Sequence, residues 1–329
     1  MTDVRVGEGI WVNLGEVAAG PGPYTMSYGF NLDVLCESIR KAGVVNPPLI
    51  SGNEMSGVDV VSGYRRILAL KALGESKALC KDVTSLLPSP RERLLANFYE
   101  NAATREFNDV EKAMILERLQ KHLPKEEILA SFMPLLSLPR HQGTLELYLK
   151  LANLGEDIQR AIASEEISMR TLKALLEVDE ASRGVLFQNM SFLRLNLNQQ
   201  TKFIDYAKDI AMRENLPILK VFSQRSFLEI LRNPKINKPQ KANAALELLM
   251  IRRYPRLAKA QRAVQSKVSA VPLPPGVNLH YDPFLEAPNY RLEICFKNGE
   301  DLRNSVNQLG SLDELKTIPD LWQAHESQD

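Results

Sequence analysis

A chain of 329 residues with 44% hydrophobic and 25% charged side chains has room for two or three domains and the composition of folded protein, which excludes a disordered polyelectrolyte. Its formal charge is only +1, and no stretch approaches the ~20 apolar residues that a membrane crossing needs. Nothing near the N terminus combines a basic flank, an apolar core and a cleavage site, so a cytoplasmic protein without membrane attachment is expected.

The near-neutral total conceals a division. Residues 202–267 hold 15 Lys and Arg against 5 Asp and Glu, whereas residues 268–329 hold 4 against 10. A local cationic excess of this kind draws a phosphate backbone more than total charge does. Cys36, Cys80 and Cys295 lie far apart with no CxxC spacing, and read as buried free thiols rather than a disulfide or zinc framework. With 4 histidines in all, and no Walker P-loop, HExxH pair or GxSxG elbow, no catalytic residue can be assigned.

In chain order, Val4 to Val17 reads as a strand around Ile10, Trp11 and Val12, followed by a turn at Gly20 to Pro23. Leu32 to Ala42 reads as a helix with Leu32, Leu35, Cys36 and Ile39 on one face and Gly43 as its terminator. Val44 to Ile50 runs extended through Asn46, Pro47 and Pro48. A strand over Val58, Val60 and Val61 then meets Ser62 and Gly63, and a helical pattern follows from Ile67 to Leu73. This strand, glycine turn and helix would let the backbone at Gly63 approach a ligand closely and let Arg65 and Arg66 address phosphate oxygens near a helix N terminus. Ordinary surface arginines at a helix start give the same pattern.

Leu94 to Glu100 is the next helix, and Asn108 with Glu111 has the spacing of a capping box for a helix running to Leu119. Lys125 to Phe132 is helical, Pro134 and Pro139 break continuity, and Gly143 to Leu151, Ile158 to Ala163 and Ser168 to Leu176 supply further helices. Compact units of this type can place one helix in the DNA major groove, and a generic all-helical interaction domain shares nearly all of these features. Arg140, His141, Gln142, Thr144 and Lys150 are the exposed candidates for that face, and most of Leu145, Leu147, Leu149 and Leu151 should pack inward.

Residues 198–214 and 240–262 read as longer helices, the second interrupted at Pro255. Arg252, Arg253, Arg256, Lys259 and Arg262 concentrate positive charge there and suit a stripe that contacts DNA phosphates without reading bases. Val271 to Pro275 is a linker. A small α+β module follows, with an extended run from Tyr290 to Phe296 and a helix from Leu302 to Leu309; its acidic balance suits dimerisation or structural capping.

Three ordered segments carry a family resemblance. Ser38 to Pro48, Ser62 to Ala69, and Glu100 to Arg105 together with Glu111 resemble the boxes of the ParB-like plasmid and chromosome partition proteins, with the likeness strongest over residues 30–180. The resemblance implies an α+β chain: a ParB/sulfiredoxin-like nucleotide-binding domain over 1–105, an all-helical helix-turn-helix DNA-binding domain over 106–197, a basic helical region over 198–267, and a small α+β module over 268–329 that supports dimerisation. It further implies CTP with Mg2+ as ligands, a homodimeric clamp on double-stranded DNA, a partition ATPase as a further partner, and a place on the nucleoid. Carried over residue by residue, Gly63, Arg65 and Arg66 approach the nucleotide phosphates, and Glu100, Asn101 and Arg105 complete the nucleotide site, with Glu100 beside the metal. Tyr64 stands at a usually acidic place, Leu68 at a usually basic or polar one, and Thr104 at the usual arginine place with Arg105 one residue later. Because cation placement governs phosphate geometry, the identity of the nucleotide and its hydrolysis stay open. The alternative is a helix-turn-helix transcription regulator without a nucleotide cycle.

Overall fold

The N-terminal segments build a four-stranded sheet from β1 (Glu8–Asn13), β2 (Leu49–Asn53), β3 (Gly57–Ser62) and β4 (Lys77–Asp82), in the order β1-β4-β2-β3; β4 buries alternate side chains, whereas β3 buries its last three residues in succession. β1 runs antiparallel to β4 and β2 antiparallel to β3, while β2 and β4 are parallel. The computed structural model describes residues 8–18, 20–53, 57–282, 289–318 and 320. Residues 4–7 of the first expected strand, and 283–288 of the C-terminal module, lie outside these. The chain divides into two compact units, Met1–Lys173 and Ala174–Asp329.

In the first unit, α1 (Asp33–Ala42), α2 (Tyr64–Ala72) and α3 (Pro90–Ala102) accompany the sheet. Val12, Ile50, Val60, Ile67, Leu70 and Cys80 belong to one buried cluster that joins strands to helix. β4 escaped the sequence reading for a physical reason: its inward residues are the small Ala78 and Cys80, while its largest apolar residue, Leu79, is 42% exposed, so the usual strand signal is inverted. α2 starts at Tyr64 instead of Ile67, because Gly63 turns the chain in the left-handed region at φ 88° and the helix begins at once. α3 likewise begins ahead of Leu94, at Pro90, where Ser89 and Glu92 form a capping box.

Helices α4 (Asp109–Leu119), α5 (Lys125–Glu127), α6 (Met133–Leu135), α7 (Gln142–Ala152), α8 (Glu156–Ala163) and α9 (Met169–Leu175) follow. The expected break at Pro134 does not occur. A π-helical turn over Ile128–Phe132 widens the helix ahead of the proline, which relieves the clash its ring would make with the preceding turn. The chain reverses instead at Ser137, which adopts a left-handed φ of 56°.

The second unit contains α10 (Glu180–Leu193), α11 (Leu197–Arg213), α12 (Ile218–Phe222), α13 (Arg225–Arg232), α14 (Lys238–Arg253) and α15 (Pro255–Ala270). Phe203, Phe222 and Phe227 cluster at its centre, Phe222 stacked on Phe203 at 5.0 Å and edge-on to Phe227 at 5.1 Å between ring centroids. The expected interruption at Pro255 is present, as the start of α15. β5 (Val277–His280) pairs antiparallel with β6 (Arg291–Ile294), and α16 (Gly299–Gly310) follows. Cys36 and Cys80 are buried free thiols, the latter pushed up to about 11 by burial. Cys295 departs from the expectation: it is free but exposed, in the short stretch after β6. Among the described residues no helix is long and apolar enough to cross a membrane.

The turn at Gly63 has no room for a side chain: an added Cβ would lie 3.0 Å from Pro48 Cα and 3.1 Å from Pro48 Cβ. Gly63→Ala should therefore lower stability by more than ~1 kcal/mol, since both the positive φ and the contact oppose it. Chemical denaturation of the two proteins checks this through the shift in midpoint.

Candidate functional site

The Gly63 turn opens onto a cavity of about 410 Å³ in the first unit. Its wall is assembled from the loop after α1, the β3–α2 turn, the last turns of α3 and the segment Thr25–Ser27. Gly63, Arg65, Arg66, Glu100, Asn101 and Arg105, separated by up to about forty positions in the chain, all line it. Gly63 precedes α2 without a side-chain cap, so the N terminus of that helix contributes its partial positive charge to the same wall.

Each guanidinium is held in place by named partners. Arg66 donates to the Asn46 carbonyl and, at 3.2 Å, to Glu100. Arg65 donates from Nε to Ser27 Oγ at 3.1 Å and stands 4.7 Å from the centre of the Phe30 ring. Arg105 donates to the Met26 carbonyl at 2.8 Å and to Asn101 Oδ1 at 3.0 Å, and lies 4.6 Å from the Phe107 ring centre. Asn101 in turn donates to Asn97 Oδ1 at 2.6 Å. Burial, then the like charge of Arg105, lowers the Arg65 guanidinium from its ordinary range, with Glu111 opposing both.

The residue that organises this wall is Glu111. Its side chain is only 2% exposed, and its two oxygens take Arg65 and Arg105, each at 2.7 Å. Oε1 also accepts from the Tyr28 backbone N–H and Oε2 from that of Asn108, both at 3.1 Å. The capping box read from Asn108 and Glu111 is present, with the Glu111 N–H donating to Asn108 Oδ1 at 2.9 Å. Its spacing gave Glu111 a cap; that the same carboxylate also gathers two arginines was not visible, because Arg65 lies 46 residues away.

Two hydroxyls complete the wall. Thr25 Oγ1 and Ser62 Oγ, in residues 2% and 3% exposed, have no hydrogen-bond partner among the described residues, and both residues line the cavity. Buried hydroxyls left in this condition are costly unless something polar reaches them. Among the described residues no group of three His, Cys, Asp or Glu is placed to hold a metal ion.

The residues read from sequence as candidates for a helical face lie at and around α7. Arg140, His141, Gln142 and Lys150 are exposed and Thr144 half-buried on or just before α7, while Leu145 and Leu151 are buried. His141 caps α7 by accepting the Gly143 N–H on Nδ1 at 3.1 Å, and Gln142 donates to Glu146 at 2.6 Å. α7 packs on α4, where the Tyr148 hydroxyl donates to Asp109 Oδ1 at 2.6 Å.

In the second unit the arginines separate into two kinds. Arg252 is folded onto Glu214 and the Val221 carbonyl, and Arg253 pairs with Asp209 and packs on the Tyr206 and Tyr254 rings. Hydrogen bonding to Arg252 is the main reason that Glu214 is held below the usual carboxylate range. Arg256, by contrast, is exposed on α15 with Lys259, Arg262 and Lys267, a helix with no acidic residue.

No family model matches the chain. Over 180 residues it is 23% identical to a probable chromosome-partitioning protein ParB of Vibrio cholerae, covering 53% of this chain and 57% of that protein. It is 25% identical over 194 residues to a nucleoid occlusion protein of Geobacillus thermodenitrificans, covering 58% and 66%. At this low level of identity the chain is similar to ParB and nucleoid occlusion proteins. The resemblance carried by the three boxes holds at the level of the ParB-like superfamily. The chain spans 57% and 66% of the length of these two relatives. Among solved structures, a C-terminally truncated ParB of Caulobacter crescentus complexed to the centromeric parS site aligns at 15% identity with a TM-score of 0.32, covering 58% of this chain and 96% of that one.

Removing the Glu111 carboxylate would leave Arg65 and Arg105 facing each other without a counter-ion. Glu111→Ala should cost about 3 kcal/mol, at the lower end for a broken buried ion pair because both arginines are partly exposed. Urea unfolding followed by circular dichroism measures the loss.

Proposed function

We propose that this chain is a DNA-binding protein of DNA partition or organisation, and that its N-terminal cavity binds CTP with Mg2+ to favour a closed, homodimeric clamp on double-stranded DNA. The observation that carries the nucleotide part is the cavity wall. Arg65, Arg66 and Arg105 converge there beside an uncapped helix N terminus, and two buried hydroxyls lack partners. Planar guanidinium groups and backbone dipoles arranged this way suit a polyphosphate. The magnesium reading fits the donor set only as an ion carried by phosphates: the lining carboxylate of Glu100 already accepts from Arg66 and the Asn101 amide oxygen from Arg105. Magnesium commonly binds through one or two carboxylates and substrate phosphates.

On this reading residues 1–105 form the nucleotide-binding domain, 106–197 the helix-turn-helix domain, 198–267 a basic helical region and 268–329 a dimerisation module. Initial contact with DNA is made by Arg140, His141, Gln142, Thr144 and Lys150 around α7. A sequence-independent contribution comes from α15, where Arg256 stands among exposed cations. Arg252 and Arg253 are engaged in ion pairs with Glu214 and Asp209 and reach phosphates only by giving those up. The names of the relatives support the partition role; the same reading takes a partition ATPase as further partner and the nucleoid, in the cytoplasm, as the place of action.

Fluorescent CTP, ATP and GTP, titrated with magnesium into the full chain with and without duplex DNA, test the nucleotide part. CTP should bind saturably, and Arg66→Ala should weaken it about tenfold or more, as expected for a lost charge-assisted hydrogen bond. Absence of saturable binding for all three nucleotides would instead favour a helix-turn-helix regulator, recognisable by a bounded operator footprint.

A further inference from the structure

β4 buries its small residues and turns its large one outward, and the register of the sheet places that leucine. Leu79 stands directly opposite Trp11 of β1, on the face away from the buried Val12, Ala78 and Cys80. The two side chains are 42% and 71% exposed, so an apolar pair lies open to solvent at the end of the sheet. Lys77 and Lys81 are the neighbours of Leu79 on the same face, opposite Asn13 and Gly9. The acids of these two strands, Glu8 and Asp82, stand opposite each other on the other face, where Thr84 donates to Asp82. We propose that this face and the free edge of β1 form a docking site for an extended acidic segment of another protein, with Trp11 as the anchor.

The edge is available for such a segment. β4 is the one strand neighbour of β1 among the described residues, so the other side of β1 presents backbone N–H and C=O groups that a further strand can take. The opposite edge of the sheet differs, because β3 carries a bridge between Val58 and Val17 and packs against α3. Edge strands are ordinarily blunted by lysine, proline or a bulge, yet β1 has no lysine, no proline and an unbroken register with β4.

Charge selects the occupant. Among the described residues neither Lys77 nor Lys81 forms an ion pair, and the two flank Leu79 at the repeat with which side chains return to one face of a strand. A segment laid along β1 presents its own side chains at the same repeat, so an apolar residue over Trp11 brings carboxylates on either side within reach of the lysines. Strand addition supplies main-chain hydrogen bonds for any sequence, and the side chains at alternate positions supply selection. A second copy of this chain fits less well: its β1 would bring Gly9, Trp11 and Asn13 to this face and no carboxylate. A nucleic-acid strand would satisfy the lysines and the ring but leave the backbone edge unused.

Panning a phage-displayed library of random peptides on the full chain tests the proposal. The peptides recovered should alternate acidic and apolar residues, and their affinity for Trp11→Ala should fall about tenfold or more, as for a tryptophan at the centre of an interface. Trp11 is mostly exposed, so that variant should keep the wild-type circular dichroism. The double variant Lys77→Glu, Lys81→Glu should lose the same peptides with the tryptophan intact. In Trp322→Phe, Trp11 is the chain's one tryptophan, and its emission should move to shorter wavelength as a peptide covers it. Methylating the peptide's backbone nitrogens at alternate positions should abolish binding for one of the two alternating sets, because that set donates to β1. Recovery of no Trp11-dependent peptide, recovery of basic peptides, or full binding by both methylated sets would overturn the proposal. An emission shift produced by oligothymidylate alone, or by protein concentration alone, would overturn it in favour of a nucleic acid or a second copy.

Discussion

One carboxylate, almost wholly withdrawn from water, is the fixed point of the N-terminal unit. Glu111 accepts four donors: two guanidinium groups and two backbone N–H groups. A carboxylate buried without such partners would carry a large desolvation cost, whereas here every available direction is used. The arrangement decides where Arg65 and Arg105 stand, and thereby gives the cavity its cationic wall. It also decides where α4 begins, and α4 is the helix on which α7 rests. Structure and proposed function therefore share one constraint: the group that starts the helical region is also the group that shapes the anion site.

The basic region shows why charge counted along a chain is an incomplete guide to an interface. Its excess of cations is real, yet Arg252 and Arg253 are committed to Glu214 and Asp209, whereas the helix after Pro255 carries exposed cations and no acid. Pairing inside the unit stabilises the packing of α14 against α11, and the residues beyond the proline are left to face solvent or a polyanion. The distinction follows from burial and from partners contributed by other helices, neither of which a linear count contains.

Much of the fold was legible because its signals are local. The α1 terminator at Gly43, the β3–Gly63–α2 passage, the Asn108 and Glu111 box and the interruption at Pro255 all depend on residues within a few positions of one another. What escaped depends on distant or inverted signals. β4 buries alanine and cysteine and turns leucine outward, and Pro134 is accommodated by a π turn that no propensity announces. The site divided in the same way. The arginines and Glu100 belong to recognisable boxes, but Asn97, Ser27 and the Met26 carbonyl position them through contacts that only the folded chain creates. Tyr148 was passed over among apolar neighbours, although its hydroxyl bonds Asp109 across two helices.

Whether the cavity whose wall Glu111 holds takes a nucleotide is tested most directly by amide hydrogen exchange of the full chain with and without CTP and magnesium. Altered exchange concentrated in residues 26–28, 63–66 and 105–111 is the predicted result, since these segments share the Glu111 contacts. Unchanged exchange in all three segments, at nucleotide concentrations that saturate binding, would contradict that reading of the cavity.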